Sequence, residues 1–91
     1  MTPPDQLYHG TSIGSVAAIR NEGLTPGSRQ QVHLSLDAAT ARAVGSRHGK
    51  PHVFVLNSGQ MHHDGHDFYQ ADNGVWLTDH VPASYLVDLE N

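Results

Sequence analysis

The 91-residue sequence has no cysteine, few charged side chains and no long apolar run. Without cysteine, neither a disulfide framework nor a thiolate zinc site can form. No apolar run approaches the ~18 residues that a membrane helix needs. Residues 1–5 lack the basic and apolar regions of a signal peptide. These absences predict a cytoplasmic protein with no membrane partner.

Basic side chains are also scarce. Five Lys and Arg stand against nine Asp and Glu, which gives a net charge of −4. Because affinity for long nucleic acid comes largely from neutralised phosphates, an acidic chain is a poor unaided binder of RNA or DNA. Histidine, in contrast, is abundant: the chain has eight. These imidazoles begin to charge below about pH 6.5 and would soften the negative charge there.

The length is that of one domain, residues 1–91, because a chain of this size cannot build two cores. The apolar pattern predicts six or seven short strands and two helices near the start, an order that indicates an α+β fold. Gly10 is expected to end the first strand, and Thr11 or Ser12 to cap the first helix. Asp37 is expected to cap a second helix that runs to about residue 47.

Two later stretches complete the prediction. The apolar run at residues 52–57 is continuous and predicts a strand buried on both faces. Residues 60–67 are predicted to be a turn between two short extended pieces. This second stretch contains His62, His63 and His66, whose imidazoles suit zinc or nickel. Since no second cluster at a fixed spacing supports a metal site, we interpret the stretch as a solvated loop and predict no bound metal.

The segment Tyr8-His9-Gly10-Thr11 is the first candidate binding motif. A glycine allows a ligand to approach the backbone closely. A strand that ends before a helix N-terminus would present backbone amides, an imidazole and the hydroxyls of Thr11 and Ser12 to a dinucleotide. The alternative is a strand-end histidine followed by a simple turn, and a lone tripeptide does not decide between them.

Arg29 and His33 form the second candidate. A guanidinium donates bidentate, charge-assisted hydrogen bonds to a phosphate. His33 lies in the predicted strand of residues 31–35, which also contains Ser35, and could bond a ribose hydroxyl in the same cleft. The alternative is an exposed loop arginine and a histidine at the edge of the core.

The third and fourth candidates are Val44-Gly45-Ser46-Arg47-His48-Gly49-Lys50-Pro51 and Asn73-Gly74-Val75-Trp76-Leu77. A basic helix end beside a glycine turn can hold a pyrophosphate or stack an adenine on Arg47. Ordinary capping of the helix C-terminus explains Arg47 equally well. Trp76 is expected to pack in the core rather than to stack on a ligand.

Together, the four segments resemble the catalytic half of the NAD-dependent RNA 2′-phosphotransferases, the KptA family of the ADP-ribosyltransferase superfamily. The family patterns are Arg-x-His-Val-His-Leu-Ser, Val-Gly-x-Arg-x-Gly-Lys-Pro and Asn-Gly-Val-Trp-Leu. This chain departs from them at Gln31, where the first of two histidines usually stands. The resemblance implies an ADP-ribosyltransferase split β-sandwich, with NAD as the cofactor.

The resemblance also implies the site residues. The catalytic set is Arg29, His9 and His33. The residues implied to contact NAD are His9, Gly10, Thr11, Ser12, His33, Ser35, Arg47, Gly74 and Val75. Many ADP-ribosyltransferases have a glutamate where this chain has Val75. That difference favours an acceptor that is already an anion, such as a phosphate.

In the family, an RNA 2′-phosphate attacks the anomeric carbon of NAD, nicotinamide leaves, and the neighbouring ribose hydroxyl then releases ADP-ribose cyclic phosphate. An N-terminal lobe supplies further Arg and His side chains. This chain begins at the His-Gly-Thr segment, so we expect the catalytic lobe alone. The expected function is ADP-ribosyl transfer to a phosphate by a monomer. The alternatives are the complete 2′-phosphotransferase and a non-catalytic module that binds NAD or ADP-ribose.

Overall fold

The computed structural model describes residues 1–27 and 30–89, and leaves the side chain of His48 undescribed. The strands are β1 (Leu7–Ser12), β2 (Val32–Leu34), β3 (Pro51–Leu56), β4 (Tyr69–Gln70), β5 (Trp76–Thr78) and β6 (Leu86–Asp88). The helices are α1 (Val16–Glu22), α2 (Ala38–Gly45) and α3 (Ser58–His63), with 3-10 turns at Ile13–Ser15, Ser46–His48 and Ala83–Tyr85. None of the helices in the described ranges has the length and apolar character to cross a membrane.

The strands form two small antiparallel sheets, ordered β1-β3-β6 and β2-β5-β4. The sheets meet at an isolated bridge between Tyr8 and Ser35. There the Tyr8 amide donates to the Ser35 carbonyl at 2.9 Å, and the Ser35 amide donates to the Tyr8 carbonyl at 2.8 Å. Two antiparallel sheets with short helices confirm the α+β class.

Buried apolar side chains from both sheets and from α3 form one core cluster. Its members are Leu7, Leu24, Val32, Leu34, Leu56, Met61, Phe68, Trp76 and Val81. Trp76 is only 6% exposed, in agreement with the expectation that it packs in the core. The alternation of β2 places Val32 and Leu34 in this core and leaves His33 on the other face.

The prediction that Gly10 ends the first strand is wrong. β1 continues through Ser12 and pairs with β3 as far as Pro51. A Cβ atom on Gly10 would lie 1.6 Å from the carbonyl oxygen of Ala41 in α2, and a Cβ on Gly45 would lie 2.6 Å from the carbonyl oxygen of Thr11. The two glycines therefore let the backbones of β1 and α2 touch.

Two helix predictions also need correction. The first helix, α1, begins at Val16 with Ser15 at its N-cap, while Ser12 precedes the 3-10 turn before it and makes no side-chain cap hydrogen bond. The chain has a third helix, α3, where a turn and extended pieces were predicted. Contacts distant in sequence hold α3: the Ser58 hydroxyl donates to the Pro4 carbonyl at 2.7 Å, and the Gly59 amide donates to the Asp5 carbonyl at 3.0 Å. Periodicity within six residues could not reveal them.

The start of α2 is as predicted. Asp37 Oδ1 accepts the Thr40 amide at 2.7 Å, the side-chain cap that a helix N-terminus requires. This hydrogen bond lowers the pKa of Asp37 below its ordinary value, because it favours the charged carboxylate. α2 itself ends at Gly45, and the chain continues as a 3-10 turn to His48, so the predicted end near residue 47 holds only for the combined segment.

Candidate active site

A cleft of about 660 Å³ lies where the two sheets meet. Its lining contains all but one of the residues implied to contact NAD: His9, Gly10, Thr11, Ser12, His33, Ser35, Arg47 and Val75. The exception, Gly74, lies between two lining residues, Asn73 and Val75. Arg29 lies outside the described residues. Segments that are far apart in sequence thus converge on one cleft, while the role of each residue stays a prediction.

His9 is held in one orientation by the neighbouring sheet. Its Nδ1 donates to the backbone carbonyl of His33 at 3.1 Å. Because a carbonyl can only accept, Nδ1 must carry the proton, and in the neutral ring Nε2 is then the acceptor nitrogen. The contact joins β1 to β2 and sets the tautomer of a half-buried imidazole.

Strands β2 and β5 form one wall of the cleft, and the residues of β5 reach it alternately. His33 is paired with Leu77 across the two strands, and both line the cleft. Trp76 and Thr78, which alternate with Leu77, are buried on the opposite face. The strand reading of Val75-Trp76-Leu77 is therefore compatible with a ligand-facing side, since successive side chains point to opposite faces.

Residues 71–75 close this wall with a tight turn. The Ala71 amide donates to the Val75 carbonyl, and the Gly74 amide donates to the Ala71 carbonyl, both at 2.9 Å. The Val75 amide donates to Asn73 Oδ1 at 3.1 Å. Gly74 has φ +88°, a conformation that glycine adopts most readily. Asn73 belongs to the fourth candidate motif and was not among the residues implied to contact NAD, although it lines the cleft.

The opposite wall is formed by β1 and α2. Thr40, Val44, Gly45 and Arg47 all line the cleft from this side. Arg47 lies in the 3-10 turn that follows α2 and is exposed. Its position in the cleft is compatible with an anion-binding role, and it also stays compatible with capping of the helix end.

The described lining of the cleft contains two imidazoles, one guanidinium and several hydroxyls, but no carboxylate. The chain as a whole has nine Asp and Glu against five Lys and Arg. The acidic groups therefore lie elsewhere, and the cleft is locally suited to an anion. A chain that is a poor general binder of nucleic acid can still hold one or two phosphates at such a place.

The histidine-rich stretch forms a separate surface. His62 and His63 end α3, and Asp64 follows them. Tyr85 donates its hydroxyl to Asp64 Oδ2 at 2.6 Å and Gln60 donates to Oδ1 at 2.9 Å. The Tyr85 hydrogen bond, followed by that of Gln60, lowers the pKa of Asp64, and the same carboxylate raises the pKa of Tyr85. Among the side chains that the structure describes, no three of His, Asp or Glu are grouped as metal ligands.

The fold and the cleft define an α+β domain with a site suited to an anionic ligand. The profile described as "RNA 2'-phosphotransferase, Tpt1 / KptA family" matches residues 1–80. A protein of Agrobacterium fabrum named "Probable RNA 2'-phosphotransferase" is 63% identical over 84 residues, which are 92% of this chain and 45% of that protein. One of Acaryochloris marina with the same name is 56% identical over 90 residues, 99% of this chain and 50% of that protein.

The chain belongs to the RNA 2′-phosphotransferase family. It spans about half the length of the curated relatives it matches.

Proposed function

We propose that this chain is an NAD-dependent ADP-ribosyltransferase domain that transfers ADP-ribose to a phosphate on RNA and releases nicotinamide. The observation that carries the proposal is the cleft, whose described lining combines His9, His33 and Arg47 and has no carboxylate. Two antiparallel sheets that meet at a cleft support an ADP-ribosyltransferase-like split β-sandwich. Family membership supports phosphorylated RNA as the acceptor.

The cleft has the size and the chemistry for a dinucleotide. A volume of about 660 Å³ lies within the ordinary range of small-molecule sites. Arg47 can donate to a pyrophosphate, while the hydroxyls of Thr11, Ser12 and Ser35 can bond ribose oxygens. Val75 offers an apolar surface on the opposite wall.

In the proposed step, a phosphate oxygen of the acceptor forms a bond to the anomeric carbon of NAD. The carbon–nitrogen bond breaks, and nicotinamide leaves with the electron pair. The acceptor is already an anion, so no general base is needed, which agrees with the absence of a carboxylate from the described lining. His9, fixed by its bond to the His33 carbonyl, orients the dinucleotide without having to be ordered on binding.

Arg29 is proposed, on the family pattern alone, to hold the acceptor phosphate. It lies outside the described residues, but Pro26 and Gln31, which flank it in sequence, line the cleft. A guanidinium beside the attacking anion would position it through two parallel hydrogen bonds. Gln31, which replaces the family histidine, donates from Nε2 to Asp79 Oδ1 at 3.5 Å, a long contact at the edge of strand β5.

The complete 2′-phosphotransferase reaction is the second candidate, and family membership is the observation that favours it. It requires a further step, in which a ribose hydroxyl attacks the ADP-ribosylated phosphate. A module that binds NAD or ADP-ribose without chemistry is the third.

Incubation of the chain with NAD and with 2′-phosphorylated, 5′-phosphorylated or unphosphorylated RNA separates these functions by mass spectrometry. The proposal predicts nicotinamide release and an ADP-ribose adduct on phosphorylated RNA only. ADP-ribose cyclic phosphate together with dephosphorylated RNA would establish the complete reaction. Binding of NAD without formation of either product would indicate a module that binds NAD without chemistry. His9→Ala is expected to weaken NAD binding, and absence of NAD binding by the wild-type chain would overturn the proposal.

A further inference from the structure

The turn at residues 71–75 fixes the direction of one side-chain amide at the cleft. Asn73 Oδ1 accepts the Val75 backbone amide at 3.1 Å. A backbone N–H can be bonded only by an acceptor, so oxygen must occupy this position, and the Nδ2 group takes the other side of the amide. The orientation of the Asn73 side-chain amide therefore follows from hydrogen-bond chemistry. Its donor, Nδ2, points away from the Val75 amide.

Three backbone donors of the turn are already used by hydrogen bonds within it. The backbone amides of Ala71, Gly74 and Val75 all donate within the turn. Gln70, outside the cleft, donates its side-chain amide to the Gly74 carbonyl at 3.2 Å and braces the turn from behind. Asn73 lines the cleft and is exposed, so its Nδ2 is a side-chain donor that the turn can present to a bound molecule.

We propose that Asn73 is a ligand-binding residue whose Nδ2 donates to an oxygen of the ADP-ribose part of NAD. The identity of the ligand rests on the proposed function. Ribose hydroxyls and pyrophosphate oxygens are acceptors in ADP-ribose, and the β1–α2 wall across the cleft supplies the guanidinium of Arg47. The two walls would then bond the same ligand from opposite sides, one through a charged donor and one through a neutral donor of fixed direction.

Two variants separate the donor from the turn. Asn73→Asp keeps an oxygen acceptor for the Val75 amide, removes both Nδ2 hydrogens and adds a negative charge. Asn73→Ser keeps an acceptor for the Val75 amide, because a serine hydroxyl can make the same turn hydrogen bond more weakly. It removes the amide donor and adds no charge. Gln70→Ala is the matched control, because it weakens the support of the same turn without altering the cleft lining.

Calorimetric titration with ADP-ribose, which cannot react, measures the effect, and thermal unfolding checks the fold. We expect Asn73→Ser to weaken ADP-ribose binding about three- to tenfold, the ordinary effect of one neutral hydrogen bond. Asn73→Asp should weaken it further, through repulsion of the pyrophosphate, while its unfolding temperature stays close to that of the wild type. Gln70→Ala should bind ADP-ribose with near-wild-type affinity.

The outcomes are distinct. If the wild-type chain binds ADP-ribose, and both Asn73 variants bind it with wild-type affinity, the role of Asn73 is overturned and the proposed function stands. An equal loss of ADP-ribose affinity in Gln70→Ala and Asn73→Ser would show that only the rigidity of the turn matters. That result would also overturn the role of Asn73 as a donor. If the wild-type chain binds neither ADP-ribose nor NAD, the proposed function itself fails.

Discussion

The two walls of the cleft are built by different physical means. On the β1–α2 wall, the backbones touch at Gly10 and Gly45, where no Cβ atom can be accommodated. On the other wall, the 71–75 turn is held by its own hydrogen bonds, and a Cβ on Gly74 would meet nothing within 4 Å. Glycine is needed for space on the first wall and for backbone conformation on the second. Glycines in the motifs of the two walls should therefore differ in how well they tolerate substitution by alanine.

Gly10→Ala should produce the largest effect. Because the added methyl would overlap the Ala41 carbonyl, β1 and α2 must separate, and we expect a loss of ~3 kcal/mol or more in the free energy of unfolding. Urea denaturation measures the loss. Gly14→Ala, where a Cβ meets nothing within 4 Å, is the control and should change stability by no more than ~1 kcal/mol. Equal stability of the two variants would contradict the close contact of strand and helix.

Arg29→Ala tests the segment that joins the two walls in sequence. Loss of a positioned charged donor typically lowers a rate by about 10²–10³-fold. We expect a decrease of that size in nicotinamide release with phosphorylated RNA, and little change in the urea midpoint. Arg29→Lys should recover little, since an ammonium cannot reproduce the planar fork. Transfer at the wild-type rate in Arg29→Ala would show that the family role does not carry over to this position.

Gly74→Ala tests the second wall. The position has φ +88°, so an alanine there is strained by roughly 1–2 kcal/mol although space is available. Gly65→Ala is the matched control, with φ +104°, free space and a position outside the lining of the cleft. Both variants should lose similar stability in urea, but only Gly74→Ala should weaken ADP-ribose binding. A loss of binding in both would mean that the turn has no specific part in the site.

The comparison also shows what the sequence could predict. The Asp37 cap and the apolar β3 strand depend on neighbouring residues, and both were predicted correctly. The convergence of His9 and His33 was expected from the resemblance to a family. The packing role of Gly10 was not, because it depends on where α2 lies in space.

Helix α3 was missed for the same kind of reason. Its anchors, Pro4 and Asp5, are more than fifty residues away in sequence. The direction of the Asn73 side-chain amide could not be predicted either. An Asn-Gly pair predicts a turn, but not that Asn73 Oδ1 accepts the Val75 backbone amide. Features that the local sequence specifies were predictable, and features that depend on distant contacts were not, apart from the convergence expected from the family resemblance.

The smallest effect on stability is expected at Asp88, which lies in β6 and bonds side chains of β3 and α1. Asp88 Oδ1 accepts from His52 Nε2 at 2.7 Å, and Oδ2 accepts from Arg20 Nη2 at 2.8 Å. The His52 hydrogen bond, with a smaller contribution from Arg20, lowers the pKa of Asp88 below its ordinary value near 4. Because the folded-state pKa is depressed, the stabilisation is present above pH 4 and is lost as the pH falls through the folded-state pKa.

Asp88→Asn should therefore lower the free energy of unfolding by ~1 kcal/mol at pH 7, since a neutral amide is a weaker acceptor and Arg20 is largely exposed. The difference should shrink as the pH falls from about 4 through the depressed folded-state pKa, because the wild-type carboxylate becomes protonated over that range. Urea denaturation at pH 7, 5 and 3.5 measures it. A stability difference that stays constant over this range would show that the Asp88 charge makes no contribution. ADP-ribose binding at pH 7 should be unchanged, because Asp88 lies outside the lining of the cleft.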